Sequence, residues 1–403
     1  MSEPAPGPVL EAVYRVFAPS RAKAGRLWTR WRTTLLEMRP LGAISPGNSI
    51  ELFCEGDAAF EAQWRAIGEA REQILVNMYH FADDRVGRRM RDELVAAAER
   101  GVRVHVQLDA FATSLDDAFL EPFRASQVSF SWFNPPFRFR TRFARLMRNH
   151  RKLLVLDGLV AFVGGMNVSE DYAGERFGNG LFRDTHLRVE GPAARDLGLL
   201  AASVLDDKLR PDVATPAASV YGDTLVQVLE SNVRRERRAI QRALALAIRH
   251  ATDRCWLTSP YFVPPRSLRR AMERAAKDGV DVRVLTAGDS DVPMVRRASQ
   301  HLYGRLLKRG IRVFELERRT LHAKTAVVDG VWGSVGSFNL DQWSYRRNLE
   351  VTVALLDEDL ARDLEAAFHD DLETAREVNL GSWRDRPWWL RLGHWFAYLL
   401  MRI

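Results

Sequence analysis

Cysteine is nearly absent from this chain: Cys54 and Cys255 are the only two among 403 residues. They lack metal-ligand spacing, so a disulfide framework is not expected and a reducing compartment fits. Long apolar runs are missing as well. No stretch approaches the roughly 18 residues of a membrane span, and the longest, around Leu244–Ile248 and Trp395–Met401, fall short. Met1–Pro8 has prolines and an acid but no apolar core, so no secretory signal is expected. The expectation is a soluble or peripheral protein. No cluster of acids, or of His and Cys, offers a metal site, and no cofactor is expected.

What is abundant is positive charge. The formal net charge is +7 and the isoelectric point about 9.6, which favours an anionic partner, either nucleic acid or an acidic membrane surface. The 46% hydrophobic and 28% charged content is that of an ordinary globular protein. The length suits two domains or one duplicated one.

A duplication is written into the chain. His150, Lys152, Asp157, Gly164, Gly165 and Asn167 recur, at identical spacing, as His322, Lys324, Asp329, Gly336, Ser337 and Asn339. Residues i and i+2 of a strand share a face, so each His and its Lys point the same way. Asp157-Gly158 and Asp329-Gly330 are turn dipeptides that end those strands. Gly165 and Ser337 are expected to let a bulky anion approach the backbone, with Asn167 and Asn339 as amide donors. One His on an alternating strand is usually a core residue. Two copies in register argue for chemistry.

That chemistry is metal-free transfer at phosphorus. One imidazole attacks and forms a phosphohistidine; the other gives a proton to the leaving alcohol and takes one from its replacement. Lys152 and Lys324 supply charge for the phosphate oxygens. Asp184 and Glu350, each just ahead of a strand, are the candidates for orienting the imidazoles, Asp184 for His150 and Glu350 for His322. His186 is taken as structural.

Strands alternate with amphipathic helices in both halves, Ile74–Phe81, Val86–Arg100 and Val102–Leu108 being matched by Cys255–Phe262, Ser267–Asp278 and Val280–Leu285. The fold class is α/β. The expected division is a basic amphipathic segment (1–44), two halves (45–215 and 216–380) and an aromatic tail (381–403), with a seam at Arg210–Ser219. Six of the eleven tryptophans (28, 31, 383, 388, 389 and 395) lie in the flanks beside arginines. This composition suits the headgroup boundary of an anionic bilayer, and plain packing on the core is the alternative. The stretch Phe137–Arg148, which leads into His150, alternates apolar and cationic residues.

The two motifs resemble the HKD motifs of the phospholipase D superfamily. Asn149–Lys152, Arg183–His186, Ser259–Pro264, Gly279–Val282, Leu321–Lys324, Gly336–Asp341 and Asn348–Glu350 are similar to bacterial cardiolipin synthases of the phospholipase D type, over roughly 45–380. The resemblance implies tandem α/β/α sandwiches related by a pseudo-twofold axis, with one active site between them. It also implies His150 as nucleophile, His322 as acid/base, and Asp157 and Asp329 as supportive members of the motif. The implied reaction joins two phosphatidylglycerols into cardiolipin and releases glycerol, at the cytoplasmic face of a bacterial inner membrane. This sequence looks like the shorter type, without leading transmembrane helices, and it has Trp343 where the longer type has an arginine. A phospholipid hydrolase or headgroup exchange enzyme shares the motifs. A nuclease fits the charge but not the aromatic flanks, so the expected partners are anionic phospholipids and not nucleic acid.

Overall fold

The computed structural model describes residues 25–135, 147–205, 212–213, 220–232 and 238–401, with backbone alone for 25–30 and 32. Most of Arg210–Ser219 and of Phe137–Arg148 lies outside the described residues.

Two α/β halves are present, as the duplication implies. In the first, parallel strands Gln73–Met78, Arg103–Asp109 and Ser129–Phe133 continue into antiparallel strands Leu153–Leu156, Val160–Gly164 and His186–Glu190. In the second, Arg254–Thr258, Asp281–Ala287 and Arg312–Leu316 are parallel, and Thr325–Val328, Trp332–Gly336 and Asn348–Leu356 are antiparallel. The strand Gly42–Phe53 joins the two sheets. Its first part pairs with Thr224–Ser231 and its second with His186–Glu190.

Helices cover both outer faces. Phe60, Trp64, Leu94 and Phe123 pack over the first sheet, and Ile240, Leu244, Leu268 and Leu302 over the second. A third core belongs to both halves. Helices Pro192–Ala202 and Glu358–Glu373 sit within it, among Leu153, Leu187, Val228, Val327 and Val353. Near-continuous burial of the strands matches coverage on both faces.

The first strand of each half ends earlier than its apolar run. Gln73–Met78 stops before Tyr79, and Arg254–Thr258 before the prolines of Ser259–Pro265. Beyond these ends the backbone bonds to side chains, as Phe81 N–H does to Thr113 Oγ1 (3.2 Å). Both strand exits thereby become loops at the site.

Asp157 and Asp329 explain the hairpins. Both have φ of 54°, and Gly158 and Gly330 follow at 63° and 65°. Two successive positive φ values are the mirror-image turn that suits twisted strands. The carboxylate of Asp157 accepts the N–H groups of Arg71, Glu72 and Gln73 at 2.8–3.0 Å. That of Asp329 accepts those of Thr252, Asp253 and Arg254, with the Thr252 hydroxyl. Each therefore ties its turn to the start of the neighbouring strand, at the end remote from the histidines. These contacts are those of the supportive motif members expected of Asp157 and Asp329: three backbone amides occupy each carboxylate.

Asp329→Ala is expected to lower stability by about 1–2 kcal/mol, because four partly buried donors lose their acceptor. A urea melt checks this; loss of activity at unchanged midpoint would give Asp329 a part in the chemistry instead.

Candidate active site

Two short parallel bridges assemble the site. Arg148-Asn149 pairs with Asn348-Leu349, and Thr320-Leu321 with Phe182-Arg183. Each bridge joins the residues before one half's histidine to those before the other half's carboxylate. Its last bond runs from His150 N–H to the Leu349 carbonyl (3.0 Å), and from His322 N–H to that of Arg183 (2.8 Å). One residue further on, His150 stands against Glu350 and His322 against Asp184.

The side chains follow this register. His150 Nδ1 lies 2.9 Å from Glu350 Oε2, and His322 Nδ1 lies 2.6 Å from Asp184 Oδ2. The expected pairing is therefore reversed. Each carboxylate crosses to the other half's histidine, since the bridges leave it facing away from its own. An ionised carboxylate only accepts, so Nδ1 carries the proton and Nε2 is left as the base.

Around the carboxylates, Gly165 and Ser337 have duties other than those expected. A Cβ at Gly165 would stand 2.1 Å from Asp184 Oδ1. Ser337 Oγ donates to Glu350 Oε2. Both serve the carboxylates, which already fill the space foreseen for an anion. Asn167 Oδ1 accepts the His80 N–H (3.2 Å), and its Nδ2 donates to the Tyr172 hydroxyl (2.8 Å), so this amide is engaged within the protein. Asn339 is buried with Oδ1 unpaired among the described residues.

The lysines are buried beside their histidines. Lys152 Nζ donates to the His150 carbonyl (2.8 Å) and lies 4.9 Å from the Tyr79 ring centroid. Lys324 Nζ donates to the His322 carbonyl and lies 2.7 Å from His322 Nδ1. Burial, then the charge of Lys324, pushes Lys152 down to about 7; burial pushes Lys324 down to about 8. Burial, then Lys324, takes His322 to about 4, while burial outweighs Glu350 in lowering His150. Burial opposes ionisation of Asp184 and Glu350, yet Lys324 and His322 in one case, and His150 and Lys152 in the other, hold both below the usual carboxylate range. The cation of each half thus acts on the imidazole of the other, which makes this one site.

Sequence reasoning missed three residues here. Tyr172 places its hydroxyl 3.5 Å from His322 Nε2. Tyr79 sets its ring edge-on to His150, with centroids 4.5 Å apart. Asp341 is buried, and burial pushes it up to about 7. The available signal was position: Tyr79 leaves the strand beside Leu153–Leu156, and Tyr172 follows Asn167 closely. His186, taken as structural, is buried with Nδ1 unpaired among the described residues.

Glu350→Gln is expected to perturb the imidazole resonances of His150 and not those of His322, and to lower kcat about 10^4-fold, as loss of an orienting carboxylate does elsewhere. Imidazole NMR and kinetics check this; a response at His322 alone would restore the within-half pairing.

Comparison with known proteins agrees with this architecture. A family model described as "Cardiolipin synthase, PLD-like domain" matches residues 64–185 and 244–372. Cardiolipin synthase A of Pseudomonas putida (strain GB-1) is 34% identical over 369 residues, 88% of this chain and 75% of that protein. Cardiolipin synthase B of Shigella flexneri is 32% identical over 355 residues, 85% of each. The crystal structure of phosphatidylserine synthase from Haemophilus influenzae Rd KW20 superposes with a TM-score of 0.68 over 92% of this chain and 99% of that one, at 15% identity, a likeness of fold. With its duplicated halves and paired motifs, the chain belongs to the phospholipase D superfamily, in the cardiolipin synthase family of phospholipase D-like enzymes.

Proposed function

We propose that the chain is a phosphatidyltransferase that makes cardiolipin from two phosphatidylglycerols and releases glycerol. The observation that carries this reading is the reciprocal pairing of two imidazoles with carboxylates, which leaves two Nε2 atoms available to one phosphodiester. His150 Nε2 attacks phosphorus, and the phosphorus–oxygen bond to glycerol breaks. His322 Nε2–H gives its proton to the departing alkoxide. The second lipid's hydroxyl then gives its proton to His322, its oxygen bonds to phosphorus, and the phosphorus–nitrogen bond breaks.

His322 acts as an acid only once protonated. In the empty site burial and Lys324 oppose that. A bound phosphodiester supplies the negative charge that favours it. The same anion faces Lys152 and Lys324, whose ammonium groups stabilise charge on its oxygens. Asp184, Glu350 and Ser337 are positioning residues in this scheme, as are Asn167 and Gly165, while Asn339 retains the amide role. Asp157 and Asp329 maintain the hairpins.

Curated relatives bearing the name cardiolipin synthase support this acceptor over water. The test combines purified protein with labelled phosphatidylglycerol. Cardiolipin is expected with wild type, with acid-labile phosphorylated His150 on rapid quenching, and neither with His322→Ala, which lacks the proton donor for the leaving alcohol. Phosphatidate as the main product would make the chain a hydrolase. Because the free-enzyme lysines lose charge between about 7 and 8, kcat/KM should fall as pH rises through that window.

The same reading assigns a membrane-surface role to the tail. Among the described residues no helix is long and apolar enough to cross a membrane. The helix Trp388–Leu400 rests on Pro293–Lys308 through His394, Ala397 and Tyr398. Its other faces expose Trp388 (69%), Trp389 (59%), Leu392, Trp395 and Phe396 (58%). Such a ridge beside Arg384 and Arg391 suits the headgroup boundary of an anionic bilayer. The opposite flank differs from expectation. Trp31 and Leu35 are buried, with Trp31 stacked on Trp332 at 6.2 Å, and Leu27 and Trp28 lie outside the described side chains. Trp383 also packs inward, on Tyr303.

Replacing Trp388, Trp389, Trp395 and Phe396 by serine should cut sedimentation with phosphatidylglycerol vesicles more than tenfold, since each aromatic forfeits roughly 1.5–3 kcal/mol of burial. Unchanged sedimentation would remove the tail from membrane contact.

A further inference from the structure

Two exposed aromatic rings with guanidinium groups over them stand at one side of the site. Arg148 lies 4.7 Å from the centroid of Phe111, which is 70% exposed. Arg347 lies 4.2 Å from the centroid of Trp343, which is 46% exposed. A backbone bond from Arg148 N–H to the Arg347 carbonyl (3.2 Å) joins the pairs.

Both pairs are fastened to the catalytic groups. Arg148 precedes His150 by two residues and Arg347 precedes Glu350 by three. Phe111 follows Asp109, whose carboxylate accepts the Asn149 N–H (2.8 Å). Trp343 follows Asp341, which caps the short helix Gln342–Arg346 through the Ser344 N–H (2.8 Å). Arg148 is partly engaged, with Nη1 donating to the Asn134 carbonyl (3.2 Å) and 3.9 Å from Asp109. Arg347 has no carboxylate partner among the described residues.

The pseudo-twofold axis makes this cluster informative. The register of the two halves places Thr320 opposite Arg148, Leu181 opposite Arg347 and Asp289 opposite Phe111. None of these is a cation and one is an acid. The catalytic groups are duplicated, but among the described residues no guanidinium lies over an exposed ring at the matching positions, and Arg319, beside Thr320, is engaged with Glu55 and the Phe182 carbonyl instead. An enzyme that only cleaves one phosphodiester needs no second cationic locus there. A transferase joining two anionic lipids has a second phosphate to place.

We propose that Arg347 and Arg148, backed by Trp343 and Phe111, form a second anion subsite that holds the phosphodiester of the acceptor lipid while its hydroxyl reaches the phosphohistidine. This rests on the transferase reading. A guanidinium held against a ring is pre-oriented for a phosphate and loses little freedom on binding one. The aromatic rings face the acylglycerol portion.

A partition experiment tests it. Phosphatidylglycerol serves as donor with labelled glycerol present, so one intermediate goes either to cardiolipin or to labelled phosphatidylglycerol. Formation of the intermediate cancels from this ratio. Arg347→Gln is expected to lower the cardiolipin share roughly ten- to a hundredfold, the worth of a hydrogen bond to a charged group, and Arg347→Lys to lower it less. In wild type, added salt should lower the ratio too, because it screens an exposed phosphate contact but not uncharged glycerol. A ratio unmoved by both substitution and salt would overturn the subsite. Formation of neither product, with phosphatidate released, would overturn the transferase reading itself, and the subsite with it.

Discussion

The two bonds from His150 N–H to Leu349 and from His322 N–H to Arg183 fix the rest of the site. Each closes a parallel bridge only two residues long, yet a strand register is all or nothing: a slip of one residue would turn the carboxylate away. Because both bridges cross between halves, neither half can orient its own histidine. The shared core around Val228, Val327 and Val353, with the strand Gly42–Phe53, holds the halves together and so brings the bridging segments together. Fold and site therefore depend on the same contact between halves. Two independent domains linked by a hinge would not achieve this geometry.

The charges of the site make sense only with an anion included. Two lysines and two carboxylates are buried together with two imidazoles, which burial favours in the neutral form. With the lysines protonated and Asp341 held neutral by burial, these groups balance, and a further proton on either imidazole is opposed by the neighbouring ammonium. Isolated buried ions would be costly; paired ones are tolerated. A phosphodiester adds the one negative charge that supports both ammonium groups and an imidazolium at once. In the proposed reaction, substrate binding and catalytic protonation are thereby coupled.

Much of this was legible in the residues, for identifiable reasons. Apolar periodicity and the Asp-Gly turns gave the strands, since burial and turn chemistry are local. The repeated spacing picked out His150, Lys152, His322 and Lys324, which the structure brings together. The carboxylate pairing was not legible. Sequence proximity favours partners within a half, and a two-residue bridge leaves no periodic trace. Trp31 and Trp388 show a similar limit. An amphipathic stripe with aromatics and arginines is the same pattern whether its apolar side is buried, as Trp31 is on Trp332, or exposed, as Trp388 is. Gly165 misled for another reason: glycine signals close approach, but not of what, and here it is Asp184.

Small departures from symmetry follow from steric coupling within each half. Asp184 has a short side chain, and its oxygen lies where any Cβ at position 165 would stand. Glycine is required there. In the second half Glu350 carries one more methylene, and Ser337 at the matching position donates a hydroxyl to it. Ser with Asp would collide, and Gly with Glu would remove one of two partners of Oε2, leaving that oxygen to His150 alone. Each of these positions is matched to the carboxylate of its own half, and each pair presents its carboxylate to the histidine across the axis. Divergence of this kind keeps both imidazoles oriented while giving them unequal surroundings: Tyr172 beside Nε2 of one, Tyr79 edge-on to the other. Unequal surroundings are what the proposed reaction, with distinct attacking and proton-transferring imidazoles, would require of an otherwise twofold scaffold.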